Sequence, residues 1–475
     1  MKKMVKMLAC GVLAAGMALG SFALTGCGNK TRSDPNTLWL TVQDTQAELA
    51  IHVKLGNAFA EKMKEQGQEI TVRRSTFSNN DYGKSILTLL NTQSLGDVVF
   101  TYDTYASQYS KEGMFEDLSS YVERDIDLSL YNEDVIESAR AYENQLSYFP
   151  RSYDMVTVFI NNQFFRDVGM EDRIPSTEIY GENWENWTWS AMLDLLKDLR
   201  VAINQSEKYG GAKSSYYYPV DANIAWNAVY DSVIKSFGGY TVNAENMTSG
   251  LDSAQGEVYE NTLRAIQFMK DLVEEKTEYA EGVEGRDDKT KRALANSSEG
   301  TFSSGNDAMA FMTRPSVQGC KEADMDLSFA PMPKFDAAVT GLADGTTYVG
   351  YGSGGYALYK DSANKELAWE FIRFAVSEEG QEIIAEDGLC IPTIKSLQTS
   401  DAAWTEYLPG VDQSAFLFEG NTLSLATYAR GVEQETEYQI YSKIKQSMMS
   451  ALLDQGKTPA NVASSLYNAI KNYIK

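Results

Sequence analysis

The chain has 475 residues and a formal net charge of −24 at pH 7, from 66 acidic and 42 basic side chains. A hydrophobic content of 43% is typical of a globular protein, and this length predicts roughly three domains or two large lobes. The acidity argues against nucleic acid as a partner, because phosphate contacts need a basic surface. It also argues against direct docking on anionic lipid.

The first thirty residues have the pattern of a cleaved secretory signal. Three lysines precede an uncharged run at 7–24, which is short for a membrane span and rich in Gly and Ala. These features disfavour the alternative of a transmembrane anchor. The motif LTGC resembles the lipobox of bacterial lipoproteins, in which the cysteine is lipidated and becomes the new N-terminus. The resemblance implies a signal peptide over 1–26, an acylated Cys27, a linker over 27–36 and attachment to the extracytoplasmic face of the cell membrane.

Cysteine and histidine are scarce in the rest of the chain. Cys320 and Cys390 form either one disulfide or two buried thiols, and the sequence slightly favours thiols. Since there is no CxxC motif and no Cys–His cluster, we expect no metal and no cofactor. His52 is the only histidine, so a catalytic triad that needs a histidine would have to use it. The helical spacing of His52 predicts a packed position.

The elements that follow the linker predict a parallel α/β sheet. Strands are predicted at 37–42, 69–75 and 97–101, with helices at 46–66 and 81–93. Ligands of such sheets bind at the carboxyl ends of the strands. We therefore expect Gln43 and Asp44 after the first strand, and Tyr102, Asp103 and Tyr105 after the third, to approach a ligand.

The remainder of the chain mixes both kinds of element. Further strands are predicted at 155–162, 308–312 and 327–333, helices at 187–203, 221–236 and 256–275, and a loop over 277–305. The last hundred residues are predicted to be mainly helical.

The order of the motifs resembles the extracellular solute-binding proteins of ABC importers, in particular the family of maltose- and oligosaccharide-binding proteins. The motifs are SLGDVVF (94–100), VFINNQFFRDVGM (158–170), WTWSAML (187–193), FSSGNDAMAFM (302–312) and, the strongest, GGYALYKDSANKELAWEFIRFAVSEEGQE (354–382). Gly96 stands where that family usually has Pro, and Ser190 stands where it usually has an acid. The motifs cover nearly the whole chain after the signal.

The resemblance implies an α/β, two-lobed periplasmic-binding-protein-like fold of type II, with a ligand cleft between lobes joined by hinge strands. The implied crossings lie near 153–157, 328–333 and 359–364. The implied N-terminal lobe comprises 37–154 plus 330–361, and the C-terminal lobe comprises 155–329 plus 362–475.

A sugar site needs aromatic faces for the ring and polar side chains for the hydroxyl groups. Besides the strand-end residues above, the positions predicted to line the cleft are Tyr153, Asp154, Trp226, Arg314, Tyr351, Tyr428 and Arg430. Trp226 lies where the family often places a stacking aromatic residue.

The implied function is a lipid-anchored receptor that binds an oligosaccharide and delivers it to ABC permease subunits. A protein with this function is expected to be a monomer and to catalyse no reaction. Two alternatives remain: the same receptor for a peptide, polyamine or other cationic solute, and a surface glycosidase with two catalytic carboxylates.

Overall fold

The computed structural model describes residues 34–474 with short gaps. The gaps are 79–81, 93, 244–245, 277–278, 280–291, 298–300, 344, 387, 400–401, 418, 426–433 and 455. The predicted signal peptide and Cys27 lie outside the described residues. Within these residues, no helix is both long enough and apolar enough to cross a bilayer.

Strands and helices alternate through most of the described chain. The strands are β1 (Thr37–Gln43), β2 (Thr71–Phe77), β3 (Val98–Tyr102), β4 (Arg140–Tyr142), β5 (Gln145–Leu146), β6 (Phe149–Met155), β7 (Thr157–Asn161), β8 (Tyr218–Asp221), β9 (Ala295–Asn296), β10 (Asp307–Met312), β11 (Leu327–Pro331), β12 (Tyr348–Leu358), β13 (Ile391–Pro392) and β14 (Thr422–Leu425). The helices are α1 (Gln46–Glu65), α2 (Tyr82–Asn91), α3 (Asp103–Lys111), α4 (Ser119–Asp125), α5 (Glu133–Ser138), α6 (Asn162–Asp167), α7 (Thr177–Tyr180), α8 (Trp189–Gln205), α9 (Asn227–Ser236), α10 (Glu257–Val273), α11 (Val317–Glu322), α12 (Ala337–Thr340), α13 (Lys365–Ala375), α14 (Glu378–Ala385), α15 (Gln434–Leu453) and α16 (Pro459–Ile470).

Two larger sheets organise these elements. The first has the order β13-β6-β12-β3-β1-β2, with β14 beside β12, and the second has the order β11-β7-β10-β8-β9. In the first sheet β1 pairs in parallel with both β2 and β3, as the sequence predicts. Strand β12 runs antiparallel to β3 on one side and to β6 on the other. This strand therefore joins the two halves of the first sheet.

Each sheet has its own buried core, and the two cores define two lobes. The first lobe contains the apolar side chains of β1, β3, α1 and α13. The second lobe contains those of β7, β10, α8, α10, α15 and α16. The predicted α/β, two-lobed fold is thereby confirmed.

Two helices of the second lobe, α8 and α6, begin at side-chain caps. The Thr188 hydroxyl accepts the Ala191 N–H at 3.3 Å and caps α8. The Asn161 side chain likewise accepts the Phe164 N–H and turns β7 directly into α6. These caps satisfy backbone donors that would otherwise be buried without a partner.

The packing divides the chain differently from the prediction that 362–475 belongs to the C-terminal lobe. Phe371 and Phe374 of α13 contact Phe59 of α1, with ring centroids 5.4 and 5.7 Å apart. The apolar face of α13 therefore covers the first sheet, and Leu397 also packs there. Conversely, Met332 and other residues of 330–347 pack with the second core rather than the first.

Over the residues that the structure describes, the chain passes between the lobes at three places. The first passage is Val156, between β6 and β7, and the second is the segment from β11 to β12. The third passage lies between Leu397, in the first core, and Trp404, in the second. The predicted crossing near 359–364 is wrong, because the residues after β12 return to the first lobe as α13 and α14.

Candidate functional site

A cleft of about 480 Å³ lies between the lobes, against the crossing strands. This volume falls within the range of small-molecule sites. The cleft is lined by Glu48, Phe100, Tyr102, Asp103, Thr104, Arg151, Ser152, Tyr153, Asp154, Gly350, Tyr351, Gly352, Ser353, Gly354, Leu389 and Cys390 on one side, and by Trp226, Asn227, Ala228, Thr313, Pro315 and Tyr441 on the other. Both lobes therefore contribute to one site.

Aromatic side chains from several elements surround the cleft. Tyr102 ends β3, Tyr153 lies on β6, Tyr351 lies on β12 and Tyr441 lies on α15. The Tyr102 hydroxyl donates to Gln43 Oε1 at 3.1 Å, which fixes the ring at the end of its strand. Rings held in this way offer large apolar faces at little cost in conformational entropy.

Trp226 comes at the end of a tightly turned loop. The Asn223 N–H donates to Asp221 Oδ1 at 3.1 Å, and Asn223 itself adopts a left-handed conformation with φ 46°. The Trp226 N–H then donates to the Asn223 carbonyl at 2.9 Å, just before α9 begins. The side chain of Trp226 is half-buried. The loop thus presents the indole to the cleft in a set position.

Glycines of β12 let backbone segments approach closely. A Cβ atom at Gly350 would overlap the carbonyl oxygen of Ala228, at the start of α9. A Cβ atom at Gly355 would overlap the carbonyl oxygen of Phe149 on β6. Gly352, which lines the cleft, has no such restriction, since the nearest atom to its Cβ would be Asp103 Oδ2 at 3.5 Å. At Gly350 and Gly355, β12 therefore packs against neighbouring backbone at distances that a side chain would prevent.

Asp103 is a carboxylate held at the first-lobe wall of the cleft. It accepts the Thr104 N–H at 2.7 Å, the Thr104 hydroxyl at 3.2 Å and the Ser353 N–H at 3.3 Å. Burial nevertheless raises the pKa of Asp103 from 3.8 to about 6, and these hydrogen bonds only partly oppose the shift. The carboxyl group is therefore able both to accept and, near pH 6, to donate hydrogen bonds.

Asp154 is the second carboxyl group of the cleft, on β6 immediately before the first crossing. Burial raises the pKa of Asp154 from 3.8 to about 7. The Arg314 N–H donates to Asp154 at 2.9 Å and partly opposes this shift. This backbone contact joins β6 to the segment after β10, and so links the first sheet with the second. Asp154 thus lies where the two lobes meet.

A buried ion pair forms part of the first-lobe wall of the cleft. Arg151 Nη2 donates to both oxygens of Glu48, at 2.8 and 2.6 Å, and the guanidinium lies 4.4 Å from the centre of the Phe100 ring. His52 Nδ1 is 2.9 Å from the Tyr356 hydroxyl. Burial lowers the pKa of His52 well below 6.5, and the charge of Arg151 adds to this effect. His52 is therefore a neutral packed residue, as its spacing predicts.

The structure brings six of the predicted side chains to the cleft and places four others elsewhere. The six are Tyr102, Asp103, Tyr153, Asp154, Trp226 and Tyr351. Gln43 lies behind Tyr102, Asp44 is exposed, and Tyr105 stacks on Tyr109 at 5.8 Å. The Arg314 side chain is buried, where it donates to the carbonyls of Gly388 and Trp404 and to Gln413. The predicted Tyr428 and Arg430 lie outside the described residues.

Glu48, Tyr441 and Cys390 are among the side chains of the cleft that sequence reasoning missed. Glu48 lies within the predicted first helix, and only its pairing with Arg151, 103 residues later in the chain, directs it to the cleft. Tyr441 lies in the late helical region, where periodicity marks a helix without showing its partner. Cys390 lines the cleft, and both Cys390 and Cys320 are free thiols. No group of three or more His, Cys, Asp or Glu among the described residues is arranged to hold a metal ion.

Comparison with known proteins relates the chain to one family. A family model described as "Bacterial extracellular solute-binding protein" matches residues 56–409, which is most of the chain. The comparison with curated proteins finds no match.

Solved structures with the same fold include carbohydrate-binding proteins. One is the ABC substrate-binding protein Lmo0181 from Listeria monocytogenes in complex with cycloalternan, at 17% identity and a TM-score of 0.64, covering 93% of this chain and 98% of that one. A second is the GacH receptor of Streptomyces glaucescens, solved unliganded and with acarbose, at 17% identity and a TM-score of 0.63, covering 92% and 98%. A third is the cyclic α-maltosyl-1,6-maltose binding protein from Arthrobacter globiformis, at 14% identity and a TM-score of 0.65, covering 93% and 100%.

Proposed function

Because this chain belongs to the family of bacterial extracellular solute-binding proteins, we propose that it is a lipid-anchored receptor that binds an oligosaccharide between its lobes. The receptor then delivers the oligosaccharide to the permease subunits of an ABC importer. The lobes close around the ligand by a hinge motion at the three passages, since a ligand that contacts both lobes favours the closed state.

One observation carries the choice of a sugar. The cleft combines tyrosine and tryptophan rings from both lobes with the carboxyl groups of Asp103 and Asp154. A sugar ring has apolar C–H faces and a rim of hydroxyl groups, so it needs flat apolar partners together with hydrogen-bonding groups. Cycloalternan, acarbose and a cyclic maltosyl-maltose, the ligands named for the three similar structures, are molecules of this kind.

A cationic solute is the second candidate, and the charges of the cleft favour it. Glu48, Asp103 and Asp154 line the cleft, whereas Arg151 is the one basic side chain among the described lining residues and is paired with Glu48. Burial raises the pKa of Asp154 to about 7, however, which reduces its negative charge at neutral pH. The uncharged sugar is therefore the better match.

A thermal melting screen of the purified mature protein separates these candidates. The panel contains oligosaccharides, amino acids, peptides and polyamines, and a ligand that binds only the folded state raises the melting temperature. We expect a rise with one class of oligosaccharide and none with polyamines. A rise with cations or peptides alone would overturn the sugar assignment while leaving the receptor fold intact.

A further inference from the structure

The buried Arg314 side chain connects segments of both lobes. Arg314 follows β10 of the second lobe and is fully buried. Its Nε donates to the Gly388 carbonyl at 2.7 Å, and its Nη2 donates to the Trp404 carbonyl at 2.8 Å. Gly388 lies just before β13, a strand of the first sheet, whereas Trp404 lies in the second core. One guanidinium therefore binds the chain on either side of the third passage.

The backbone at the same place makes further contacts between the lobes. The Arg314 N–H donates to Asp154 Oδ1 on β6 at 2.9 Å. Gly388 has φ 65°, and a Cβ atom there would lie 2.2 Å from Cβ of Tyr407, which packs against the second core. The lobes thus meet here through a side chain, a backbone amide and a glycine, in addition to the chain that passes between them.

The guanidinium of Arg314 is held by neutral groups. Besides the two carbonyls, Gln413 Oε1 accepts from Nη1, and the guanidinium carbon lies 5.0 and 5.1 Å from the ring centres of Trp404 and Phe416. A buried charge is costly unless its hydrogen-bonding capacity is used. What this charge supplies is a rigid, planar fork of donors that fixes acceptors from several segments at once. The arrangement therefore favours a role in setting the geometry of this junction.

The neighbours of this junction line the cleft. Thr313 and Pro315 flank Arg314 and line the cleft from the second lobe, while Leu389 follows Gly388 and lines it from the first. A change in the angle between the lobes at this point therefore moves both walls of the cleft.

We propose that Arg314 is a positioning residue of the hinge, which keeps the lobes in contact at the third passage so that they rotate about this point. The inference rests on the proposed function only because it assumes lobes that close on a ligand. It adds that the three passages do not bend equally: Val156 and the segment from β11 to β12 change conformation, while the contacts of Arg314 persist. Arg314 thereby sets the angle between the lobes in the ligand-free protein.

Small-angle X-ray scattering and hydrogen exchange on the ligand-free protein test this role. Arg314→Met keeps a flexible apolar chain but removes the donors. We expect a larger radius of gyration than in the wild type, because the lobes separate at the third passage. We also expect amide exchange over residues 402–408 to accelerate by roughly tenfold or more, since hydrogen bonds from a charged group are lost.

Arg200→Met is the matched control. Arg200 is also fully buried and donates to the carbonyls of Ala293 and Ser214, but these partners lie within the second lobe. We expect Arg200→Met to lose stability as Arg314→Met does, and to keep the wild-type radius of gyration and the wild-type exchange over 402–408. A loss of stability alone therefore does not reproduce the expected result.

Arg314→Lys keeps the charge without the planar fork and is expected to give an intermediate radius of gyration. It replaces Arg314→Met if that variant does not fold. A wild-type radius of gyration in the Arg314 variants, or the same increase in Arg200→Met, would overturn the positioning role. Either result would leave the proposed function standing, because the melting screen tests the ligand independently.

Discussion

Trp226 lines the cleft from the second lobe, and its replacement tests the site most directly. Trp226→Ala removes the ring face but leaves the hydrogen bonds of the preceding loop, which are made by backbone groups and by Asp221. We expect ligand affinity to fall by roughly tenfold to a hundredfold, because a buried aromatic contact is worth about 1.5–3 kcal/mol. Calorimetry with the ligand found in the screen measures this loss.

The control for this change is Tyr216→Ala, since Tyr216 is exposed and lies outside the described lining of the cleft. It is expected to bind as the wild type does. Unchanged affinity in Trp226→Ala would remove Trp226 from the site.

Asp154 makes the stability of the ligand-free protein depend on pH. Its pKa is about 7 in the folded state against 3.8 as the ordinary value, so the folded state holds a proton that the unfolded state releases. This contribution to stability is therefore full below pH 4 and is lost as pH rises towards 7. Asp154→Asn keeps an acceptor for the Arg314 N–H and does not titrate. As the pH rises from 4 to 8, we expect the free energy of unfolding of the variant to increase by about 2 kcal/mol relative to that of the wild type. This figure allows for the partial exposure of Asp154.

Denaturant unfolding at several pH values measures that difference. Asp103→Asn is the companion variant. Its gain in the free energy of unfolding is expected to level off about one pH unit below that of Asp154→Asn, because the pKa of Asp103 is about 6. Parallel stability curves for Asp154→Asn and the wild type would contradict a raised pKa at this position.

The rule that ligands bind at strand ends predicted part of the site and not the rest. It succeeded for Tyr102 and Asp103, because β3 lies next to β12 at the centre of the first sheet. It failed for Gln43 because β1 lies one strand further out, behind the Tyr102 ring. Arg314 follows its strand as expected, but its guanidinium is taken by carbonyl groups some 75–90 residues later, which no local pattern reveals.

Strand β12 is the element on which both the sheet and the cleft depend. Gly350→Ala and Gly355→Ala each place a Cβ atom against a backbone carbonyl that cannot move away as a side chain can. We expect each to lower the free energy of unfolding by about 1–3 kcal/mol, the usual cost of overpacking. Gly352→Ala is the matched control on the same strand and is expected to change stability little. Equal stability of all three variants in denaturant unfolding would contradict the close approach at β12.

Local patterns predicted the elements better than their partners. The apolar face of α13 is core, as its helical spacing indicates, yet that spacing does not say which sheet it covers. Strand β6 was not predicted as a strand, because Pro150 and Arg151 are unusual in one. The Arg151 charge is neutralised by Glu48 on a distant helix, so the evidence for this strand lies outside the segment itself.

At the scale of the whole molecule, the proposed lipid anchor on Cys27 determines where the protein works. If Cys27 is acylated, Cys27→Ser should release the protein from the membrane into the medium, while Cys10→Ser should stay attached. Cys10 lies in the apolar part of the signal, so it controls for the loss of a cysteine alone. Fractionation followed by immunoblotting measures both variants, and retention of Cys27→Ser on membranes would contradict the anchor.

The position of β12 also has a consequence for how the chain acquires its fold during synthesis. Strand β12 separates β3 from β6 in the first sheet, yet it follows β6 by nearly two hundred residues. A chain growing from its N-terminus must therefore hold the β3-β1-β2 half-sheet with an open edge, and β6 without a partner strand in this sheet, until residue 358 has emerged. Pairings so distant in sequence form slowly, and open edges invite aggregation. The first lobe therefore begins to fold first and is among the last parts of the chain to complete its fold.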